Sequence, residues 1–438
     1  MKIIIIGGIA GGLTCASNIK RKKKDFEVIV FEKGGDVSYG ACGMPYNLMF
    51  PNIPAENLYA LSLDEIVNKR GIDYRLHHEV LDMNLNSKTV IVKNYEKTFQ
   101  EKYDKLVIAT GAKNNKIPIF NNEQDSFYFK TLEDLKNIKQ YLQNNEVKVV
   151  CLIGAGYVNL ELAEVFKGLG MKVIILEKMD RILPAFCDEV NEKVYHKIKE
   201  KDIDLHLNID IISKSKGQLE TNKAIFKADM FVISAGITPN SELFEVEKGI
   251  KNAIKVNRYQ QTNIEDVYAV GDVTLAYNRI IDDYVYYPLG TTANKQGRVA
   301  AHNIVYGNTL EFFGIVQTAV FKFFEYTVAT TGLSEFQMNQ LGIDFDKTVI
   351  NSHTRGSYPG NGRLKVILYH NRKSRKILGC QMIGEDVVAK RIDIVATAIS
   401  MGITIDDFAW IDLSYSPPFS PVWDPVLIAA QKAIKKTK

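Results

Sequence analysis

The stretch IIIIGGIAGG at residues 3–12 decides how this chain folds. The apolar run leads into glycines, a helical pattern continues to about Arg21, and a second apolar run over residues 27–31 ends at Glu32. Where a parallel strand turns sharply into a helix, the amides of the helix N-terminus face an anion, and glycines let that anion approach. The pattern therefore predicts strand, glycine turn, helix, strand and acidic residue, which is typical of dinucleotide binding. Ile9 replaces the second glycine of the strict GxGxxG motif.

The same unit occurs a second time along the chain. An apolar run at residues 149–153 leads into Gly154 and Gly156, a helix follows, and residues 172–176 lead into Glu177. Asn159 takes the place of the third glycine, which predicts slightly looser packing of helix on strand without blocking a pyrophosphate. Two such units predict parallel sheets that are covered on both faces.

The acidic residue at the end of each unit bears on the choice of nucleotide. Glu32 lies 20 residues after Gly12, where a carboxylate accepts hydrogen bonds from ribose hydroxyls. Glu177 would accept from a free 2′-hydroxyl and repel a 2′-phosphate, which favours NADH over NADPH. Lys178 and Arg181 lie nearby and keep NADPH open as an alternative.

Two dinucleotide sites on one chain suggest an electron relay from nicotinamide through a flavin. The first site would hold FAD, and Asp272 in the pair Gly271–Asp272 would bring a carboxylate to the ribityl chain from the end of another predicted strand. From about Leu310 onward β-branched runs alternate with helical patterns, which predicts a mixed α+β domain.

Length and charge exclude several classes of protein. The 438 residues suffice for about three domains. A net charge of +4 is too small to argue for a nucleic-acid or membrane surface. Five scattered cysteines without a CxxC pair indicate a reducing cytoplasm, and the N-terminal MKIIIIGG resembles neither a signal peptide nor a spanning helix. His77, His78 and Glu79 lack the spacing of metal ligands, so no metal is expected.

One cysteine stands apart from the other four. The segment SYGACGMPY at residues 38–46 places Cys42 between glycines at a predicted helix start, where the helix N-terminus stabilises a thiolate and a flavin ring has room to approach. The second cysteine of a CxxxxC dithiol is missing. Electrons leaving a flavin would therefore rest on one sulfur plus an external partner, as a mixed disulfide or a sulfenic acid. The alternative interpretation is a buried structural cysteine.

These residues carry a resemblance that covers the chain from end to end. The chain resembles the single-cysteine branch of the pyridine nucleotide-disulfide oxidoreductases, and within that branch the enzymes that reduce coenzyme A disulfide. The matching motifs are Gly7–Ser17 (GGIAGGLTCAS), Ser38–Tyr46 (SYGACGMPY), Ala109–Gly111 (ATG), Gly154–Glu161 (GAGYVNLE), Gly236–Asn240 (GITPN), Ala269–Asp272 (AVGD), Gly290–Arg298 (GTTANKQGR) and Tyr415–Ser420 (YSPPFS).

The resemblance implies an α/β architecture with two Rossmann-like dinucleotide-binding domains and a C-terminal α+β dimerisation domain. The FAD-binding domain would comprise residues 1–112 and 238–308, the NAD(P)H-binding domain residues 113–237, and the dimerisation domain residues 309–438. The protein would form a homodimer in which each subunit completes the active site of the other.

The motifs and the resemblance together predict the site residues. Cys42 would be the redox cysteine that forms a mixed disulfide with coenzyme A, and Tyr415 and Tyr358 would assist departure of the thiolate from the partner subunit. FAD would contact Gly7, Gly8, Ala10, Gly11, Gly12, Glu32, Lys33, Thr110, Gly111, Gly271, Asp272, Thr291 and Ala293. NAD would contact Gly154, Gly156, Tyr157, Val158, Glu177 and Gly236. Coenzyme A would contact Cys15, Asn18, Arg21, Ser38, Lys69 and Arg70.

Three alternative functions share these features. An NADH oxidase or peroxidase would carry Cys42 as a sulfenic acid, but relatives of the peroxidase type have a histidine where this chain has Ala10. A persulfide or polysulfide reductase would use the same mixed-disulfide chemistry, often with an appended rhodanese domain. A flavin-binding sensor without turnover would not require the cysteine. Ala41 departs from the asparagine often found before the cysteine in the coenzyme A branch, whereas residues 43–46 resemble that branch.

Overall fold

The structure is a computed structural model and describes residues 1–121 and 123–436. In the first half of the chain the strands are β1 (Lys2–Ile6), β2 (Glu27–Phe31), β3 (Asp73–Arg75), β4 (Glu79–Asn84), β5 (Thr89–Lys93), β6 (Thr98–Lys102), β7 (Lys105–Ile108), β8 (Ala112–Asn114), β9 (Ser126–Tyr128), β10 (Val149–Ile153), β11 (Lys172–Leu176), β12 (Asp204–His206), β13 (Ile211–Ser215) and β14 (Gln218–Thr221). The helices in this half are α1 (Ala10–Lys22), α2 (Met44–Leu48), α3 (Leu132–Asn144), α4 (Tyr157–Gly168) and α5 (Asp188–Glu200).

In the second half the strands are β15 (Ile225–Lys227), β16 (Met230–Ile233), β17 (Ile237–Pro239), β18 (Val267–Ala269), β19 (Ala276–Asn278), β20 (Asp283–Val285), β21 (Ala319–Phe323), β22 (Tyr326–Gly332), β23 (Phe345–His353), β24 (Arg363–Asn371) and β25 (Ile377–Gly384). The helices are α6 (Gly290–Tyr306), α7 (Glu335–Gln340), α8 (Val388–Ser400), α9 (Ile405–Phe408) and α10 (Pro425–Lys436). Short helical turns lie at Ala41–Gly43, Ala55–Leu58, Glu65–Lys69, Pro118–Phe120 and Ile250–Asn252.

The first glycine turn belongs to a parallel five-stranded sheet in the order β18-β7-β1-β2-β3. Ile3, Ile4 and Ile5 of β1 are completely buried, because the sheet is covered on both faces. Helices α1 and α6 pack closely together on one face. The antiparallel sheet β4-β5-β6 covers the other face. The carboxyl ends of β1, β7 and β18 therefore bring three loops to one edge.

The second glycine turn belongs to a similar parallel sheet in the order β12-β11-β10-β16-β9. An antiparallel three-stranded sheet, β13-β14-β15, packs its apolar side against this sheet. The antiparallel pair β8–β17 joins the two chain segments that connect the parallel sheets. That pairing agrees with the chain crossings at residues 112 and 238, although the domain limits themselves stay a prediction.

The C-terminal part contains an antiparallel sheet in the order β21-β22-β25-β24-β23, with α8 and α10 packed on it. The predicted α+β texture is confirmed, and with the two parallel sheets it confirms the predicted fold class. The apolar run over residues 316–324 does not form one strand, because Gln317 adopts φ +59° and β21 begins only at Ala319.

Candidate active site

The first glycine turn is shaped by close backbone packing. Gly7 has φ +96°, and a Cβ on Gly12 would lie 1.9 Å from the carbonyl oxygen of Gly7. The first turn of α1 carries no acidic side chain, so its free amides can bind an anion. Glu32 is almost completely buried and accepts hydrogen bonds from the backbone N–H groups of Gly8 and Gly34, each at 2.8 Å. The turn and the carboxylate are therefore held as one unit.

The second turn repeats this arrangement and leaves room in front of the helix. Gly156 is the N-cap of α4, and a Cβ there would meet no atom within 4 Å. Glu177 accepts from the backbone N–H of Ala155 over 2.6 Å and from that of Met179 over 2.8 Å. The open space at a helix N-terminus without acidic residues fits a pyrophosphate, and the fixed carboxylate fits a ribose beside it.

Asn159 packs more tightly than the sequence predicts. Its side chain is completely buried, and Nδ2 donates to the carbonyl oxygens of Ile153 at 2.9 Å and Gly154 at 2.8 Å. The expectation of looser packing was wrong, because the amide ties α4 to the end of β10. The face that a pyrophosphate would use is unaffected.

Lys33 directly follows Glu32 after β2, and the remaining predicted FAD residues lie at the ends of β7 and β18 and at the start of α6. Thr110 donates through its hydroxyl to the carbonyl of Asn240 over 2.7 Å, which fixes the loop after β7. Gly271 donates its N–H to Oε1 of Gln296 over 2.8 Å, and Ala293 packs beside it. These loops meet at the edge of the first sheet where the glycine turn opens.

Backbone pairing holds the segment that carries Cys42. Gly40 donates to the carbonyl of Leu58 and Ala60 donates to that of Ser38, both at 2.8 Å. A Cβ on Gly43 would lie 2.7 Å from Leu58 Cδ2, so this glycine allows the close approach of the two segments. Cys42 lies in the helical turn that leads into α2.

Charged side chains from distant segments of the chain affect the pKa of the Cys42 thiol. The pKa of Cys42 is raised, chiefly because neighbouring atoms remove water from the thiol and further because the Glu161 and Asp272 carboxylates repel a thiolate. Lys130 acts in the opposite direction, and its ammonium lies 3.4 Å from Asp272. Burial raises the pKa of Tyr157, and the charges of Cys42 and Asp272 raise it further. The structure thus brings together the predicted redox cysteine, nicotinamide-site tyrosine and ribityl-site carboxylate.

This environment differs from the sequence expectation in one respect. A helix N-terminus was expected to lower the pKa of Cys42, but α2 has only five residues. The loss of water around the sulfur, together with the nearby carboxylates, outweighs the helix effect although the residue as a whole is exposed. Glu161 and Lys130 were not predicted as site residues. Glu161 could have been suspected, because it lies one helical turn after Tyr157 on α4.

Cys42 is the exposed cysteine of the chain. The other four, Cys15, Cys151, Cys187 and Cys380, are buried, and all five are free thiols. Within the residues that the structure describes, no cluster of histidine, cysteine and acidic side chains could hold a metal ion. No helix among those residues is long and apolar enough to cross a membrane.

One side of α1 offers a row of polar groups. Asn18 donates to the carbonyl of Thr14 over 2.8 Å and accepts from Arg21 over 3.3 Å. Cys15, predicted to contact coenzyme A, is instead completely buried and packs towards α6 near Gly297. Thr14 replaces it on the accessible side, and its hydroxyl donates to Asn294 over 2.5 Å. The spacing Thr14, Asn18, Arg21 could have revealed this row.

The remaining predicted substrate residues have partners within the chain. Ser38 is nearly buried and its hydroxyl donates to the carbonyl of Ile9 over 3.2 Å. Arg70 donates to the Ser17 hydroxyl over 2.9 Å. Lys69 is exposed and pairs only loosely with the glutamate one turn before it, at 3.9 Å.

The two predicted tyrosines lie on the C-terminal part of the chain. Tyr358 exposes 44% of its surface and Tyr415 exposes 51%, and neither is enclosed by its own subunit. Trp410 and Phe419, near Tyr415 in sequence, each expose 71%. Such an exposed aromatic surface is typical of a protein–protein contact.

Comparison with known proteins identifies the enzyme family to which the chain belongs. Residues 1–297 match the pyridine nucleotide-disulphide oxidoreductase family, and residues 318–425 match the dimerisation domain of that family. The chain therefore belongs to the pyridine nucleotide-disulfide oxidoreductases and is an FAD-dependent oxidoreductase that uses NAD(P)H.

Three individual relatives show which members of the family the chain is similar to. The coenzyme A disulfide reductase of Staphylococcus aureus (strain JH9) is 31% identical over 442 residues, covering 99% of each chain. The structure of reduced Bacillus anthracis CoADR-RHD superimposes with a TM-score of 0.97 at 29% identity, covering all of this chain and 80% of the other. The NAD-dependent persulfide reductase from A. fulgidus gives a TM-score of 0.95 at 34% identity, covering all of this chain and 83% of the other.

Proposed function

We propose that the protein reduces coenzyme A disulfide with NADH, through FAD and Cys42. The observation that carries this proposal is the single exposed thiol at the point where Tyr157 and Asp272 converge. Similarity to coenzyme A disulfide reductases over 99% of the chain supports the same substrate. The free cysteines support a reducing compartment such as the cytoplasm.

Bound FAD would supply the two-electron link between the nicotinamide and the disulfide. The chain's own residues have separate tasks. Cys42 as a thiolate attacks one sulfur of coenzyme A disulfide, forms the mixed disulfide and releases one coenzyme A thiolate. Two electrons from NADH then cleave the mixed disulfide, which restores the Cys42 thiolate and releases the second coenzyme A thiolate. Gly156 admits the nucleotide pyrophosphate, and Glu177 binds its ribose.

The polar row on α1 is the proposed contact for coenzyme A. Thr14, Asn18 and Arg21 present a hydroxyl, an amide and a guanidinium in line, and a guanidinium suits a phosphate. Lys69 adds an exposed cation that pairs only loosely within the chain. Lys20, by contrast, donates to the carbonyls of Lys24 and Phe26 at the end of the helix, and is occupied there.

We place the second half of each site on the other subunit. The chain carries the family's dimerisation domain, and the exposed tyrosines Tyr358 and Tyr415 lie on it. A tyrosine hydroxyl can donate a hydrogen bond to a departing coenzyme A thiolate. This role requires a homodimer in which the C-terminal surface of one subunit faces Cys42 of its partner.

Glu177→Ser tests the choice of nucleotide. We expect the ratio of kcat/KM for NADPH to that for NADH to rise about tenfold, because a carboxylate that repels the 2′-phosphate is lost. Steady-state rates with both nucleotides measure the ratio. Glu146→Ser is the control, since Glu146 is an exposed glutamate paired with Lys148, and it should leave the ratio unchanged. An unchanged ratio in Glu177→Ser would assign ribose recognition to another group.

The acceptor is tested by NADH consumption with coenzyme A disulfide, with coenzyme A persulfide and with oxygen alone. We expect the disulfide to give the highest kcat/KM and to leave a coenzyme A adduct on Cys42 in the intact mass of non-reduced protein. The similarity to a persulfide reductase makes persulfide the second candidate, and a higher kcat/KM for persulfide would select it. Turnover with oxygen alone would indicate an oxidase, and no turnover at all would indicate a sensor.

A further inference from the structure

Tyr46 and Glu161 form a polar pair beside Cys42. Tyr46 follows Cys42 by four residues, and Glu161 follows Tyr157 by four residues on α4. The Tyr46 hydroxyl donates to Glu161 Oε1 over 2.9 Å. The pair therefore joins the segment of the cysteine to the helix of the second glycine turn.

The carboxylate of Glu161 has few compensating charges. The Lys322 backbone hydrogen-bonds to it, but the Lys322 ammonium pairs with Glu164. Burial, with repulsion from Glu164, raises the pKa of Glu161 to about 7 despite the hydrogen bond from Tyr46. The charge on Glu161 therefore changes near neutral pH, whereas an ordinary glutamate is fully ionised there.

Glu161 is also the leading charged group that acts on Cys42. Its carboxylate raises the pKa of the thiol more than Asp272 does, and Lys130 lowers it. Asp272 and Lys130 pair with each other at 3.4 Å, so their effects on the thiol partly cancel. Glu161 is therefore the neighbour of Cys42 whose charge changes near neutral pH. The Glu161 carboxylate and the Cys42 thiolate repel each other, so the state in which both are charged is disfavoured.

We propose that Glu161, held in place by Tyr46, controls how readily Cys42 forms its thiolate. A charged Glu161 opposes the thiolate, and a protonated Glu161 permits it. Glu161 acts through Cys42 and is a positioning residue, and Tyr46 acts one step further away by favouring the charged carboxylate. The inference rests on the proposed role of Cys42 as the redox cysteine.

The pH dependence of Cys42 alkylation tests this control without any turnover. FAD-loaded protein is reduced with a dithiol, freed of small thiols and treated with iodoacetamide, and the modified peptide identifies Cys42. In Glu161→Gln we expect the midpoint of the rate–pH curve to fall by about one pH unit, because the repelling charge is lost. Tyr46→Phe leaves the carboxylate in place and should move the midpoint much less than Glu161→Gln does.

The double variant and two controls separate electrostatics from damage to the fold. Tyr46→Phe should cause no further shift in the Glu161→Gln protein. Glu161→Asp keeps the charge and should stay near the parent midpoint. Glu56→Gln removes a carboxylate that pairs with Lys136 and should change nothing.

Two results would overturn the proposal. One is an unchanged midpoint in Glu161→Gln. The other is a shift caused by Tyr46→Phe that is equally large in the parent protein and in the Glu161→Gln variant. If Glu161→Gln failed to hold FAD, Glu161→Ala, which also removes the charge, would decide, and a parental midpoint in that variant would refute control by Glu161. Alkylation does not depend on the substrate, so a failure of coenzyme A disulfide reduction would refute the proposed function and leave this result standing.

Discussion

Cys42→Ser is expected to keep FAD bound while NADH-dependent reduction of coenzyme A disulfide falls at least about 1000-fold, because a serine hydroxyl cannot form the mixed disulfide. The side chain is exposed and nearly isosteric with serine, so the fold should be unaffected. NADH should still bleach the flavin absorbance, since the second glycine turn and Glu177 are untouched. Stopped-flow bleaching and steady-state disulfide reduction measure the two halves of the reaction separately.

Cys15→Ala is the matched control for this variant. Cys15 is completely buried in the contact between α1 and α6, so its loss should lower Tm slightly through a small cavity and leave disulfide turnover near the parent. Disulfide turnover retained by Cys42→Ser would remove Cys42 from the mechanism. If Cys15→Ala lost disulfide turnover at unchanged flavin content, the predicted contact of Cys15 with coenzyme A would be supported.

The parts of the fold that the sequence predicts are those in which local pattern and tertiary environment agree. In the repeated unit a fully buried strand must be apolar throughout, the turn must be glycine-rich, and the helix must follow at once. The predicted strand at residues 149–153 and that at residues 172–176 accordingly match β10 and β11. The sheet β4-β5-β6 has mixed exposure, so its strands give no comparable pattern.

The site was predictable where one short motif contains the chemistry. Cys42, Gly156 and Glu177 each stand in such a motif. The Tyr46–Glu161 hydrogen bond joins residues 115 positions apart, and only the packing of α2 on α4 brings them together. Cys15 and not Thr14 was predicted from the sequence, because the prediction did not use the helical register of α1, which buries Cys15 and leaves Thr14 partly accessible.

The hydrogen bond between Tyr46 and Glu161 joins the two glycine-turn units of the chain. Cys42 and Tyr46 lie on the segment after the first sheet, whereas Glu161 and Tyr157 lie on the helix after the second glycine turn. A nucleotide bound at Gly156 would therefore lie at the N-terminus of the helix that carries Glu161.

Gly12→Ala is expected to remove most of the bound FAD and to lower the unfolding temperature. The new Cβ would lie 1.9 Å from the carbonyl oxygen of Gly7 and 3.0 Å from its carbon, and both atoms are backbone. Relieving that clash must displace the turn from Glu32, which holds it through Gly8. We expect a cost of at least about 3 kcal/mol, at the upper end for an overpacked site. Flavin absorbance relative to protein and the calorimetric Tm measure both effects.

Gly168→Ala provides the control for the glycine substitution. A Cβ there would meet no atom within 4 Å, and Gly168 is the last residue of α4. Flavin content should equal that of the parent, and the free energy of unfolding should rise by up to about 1 kcal/mol because alanine favours the helix. A Gly12→Ala variant with full flavin content and a parental Tm would show that α1 can move away from Gly7. The close contact between Gly12 and the Gly7 carbonyl would then not determine the shape of the proposed FAD site.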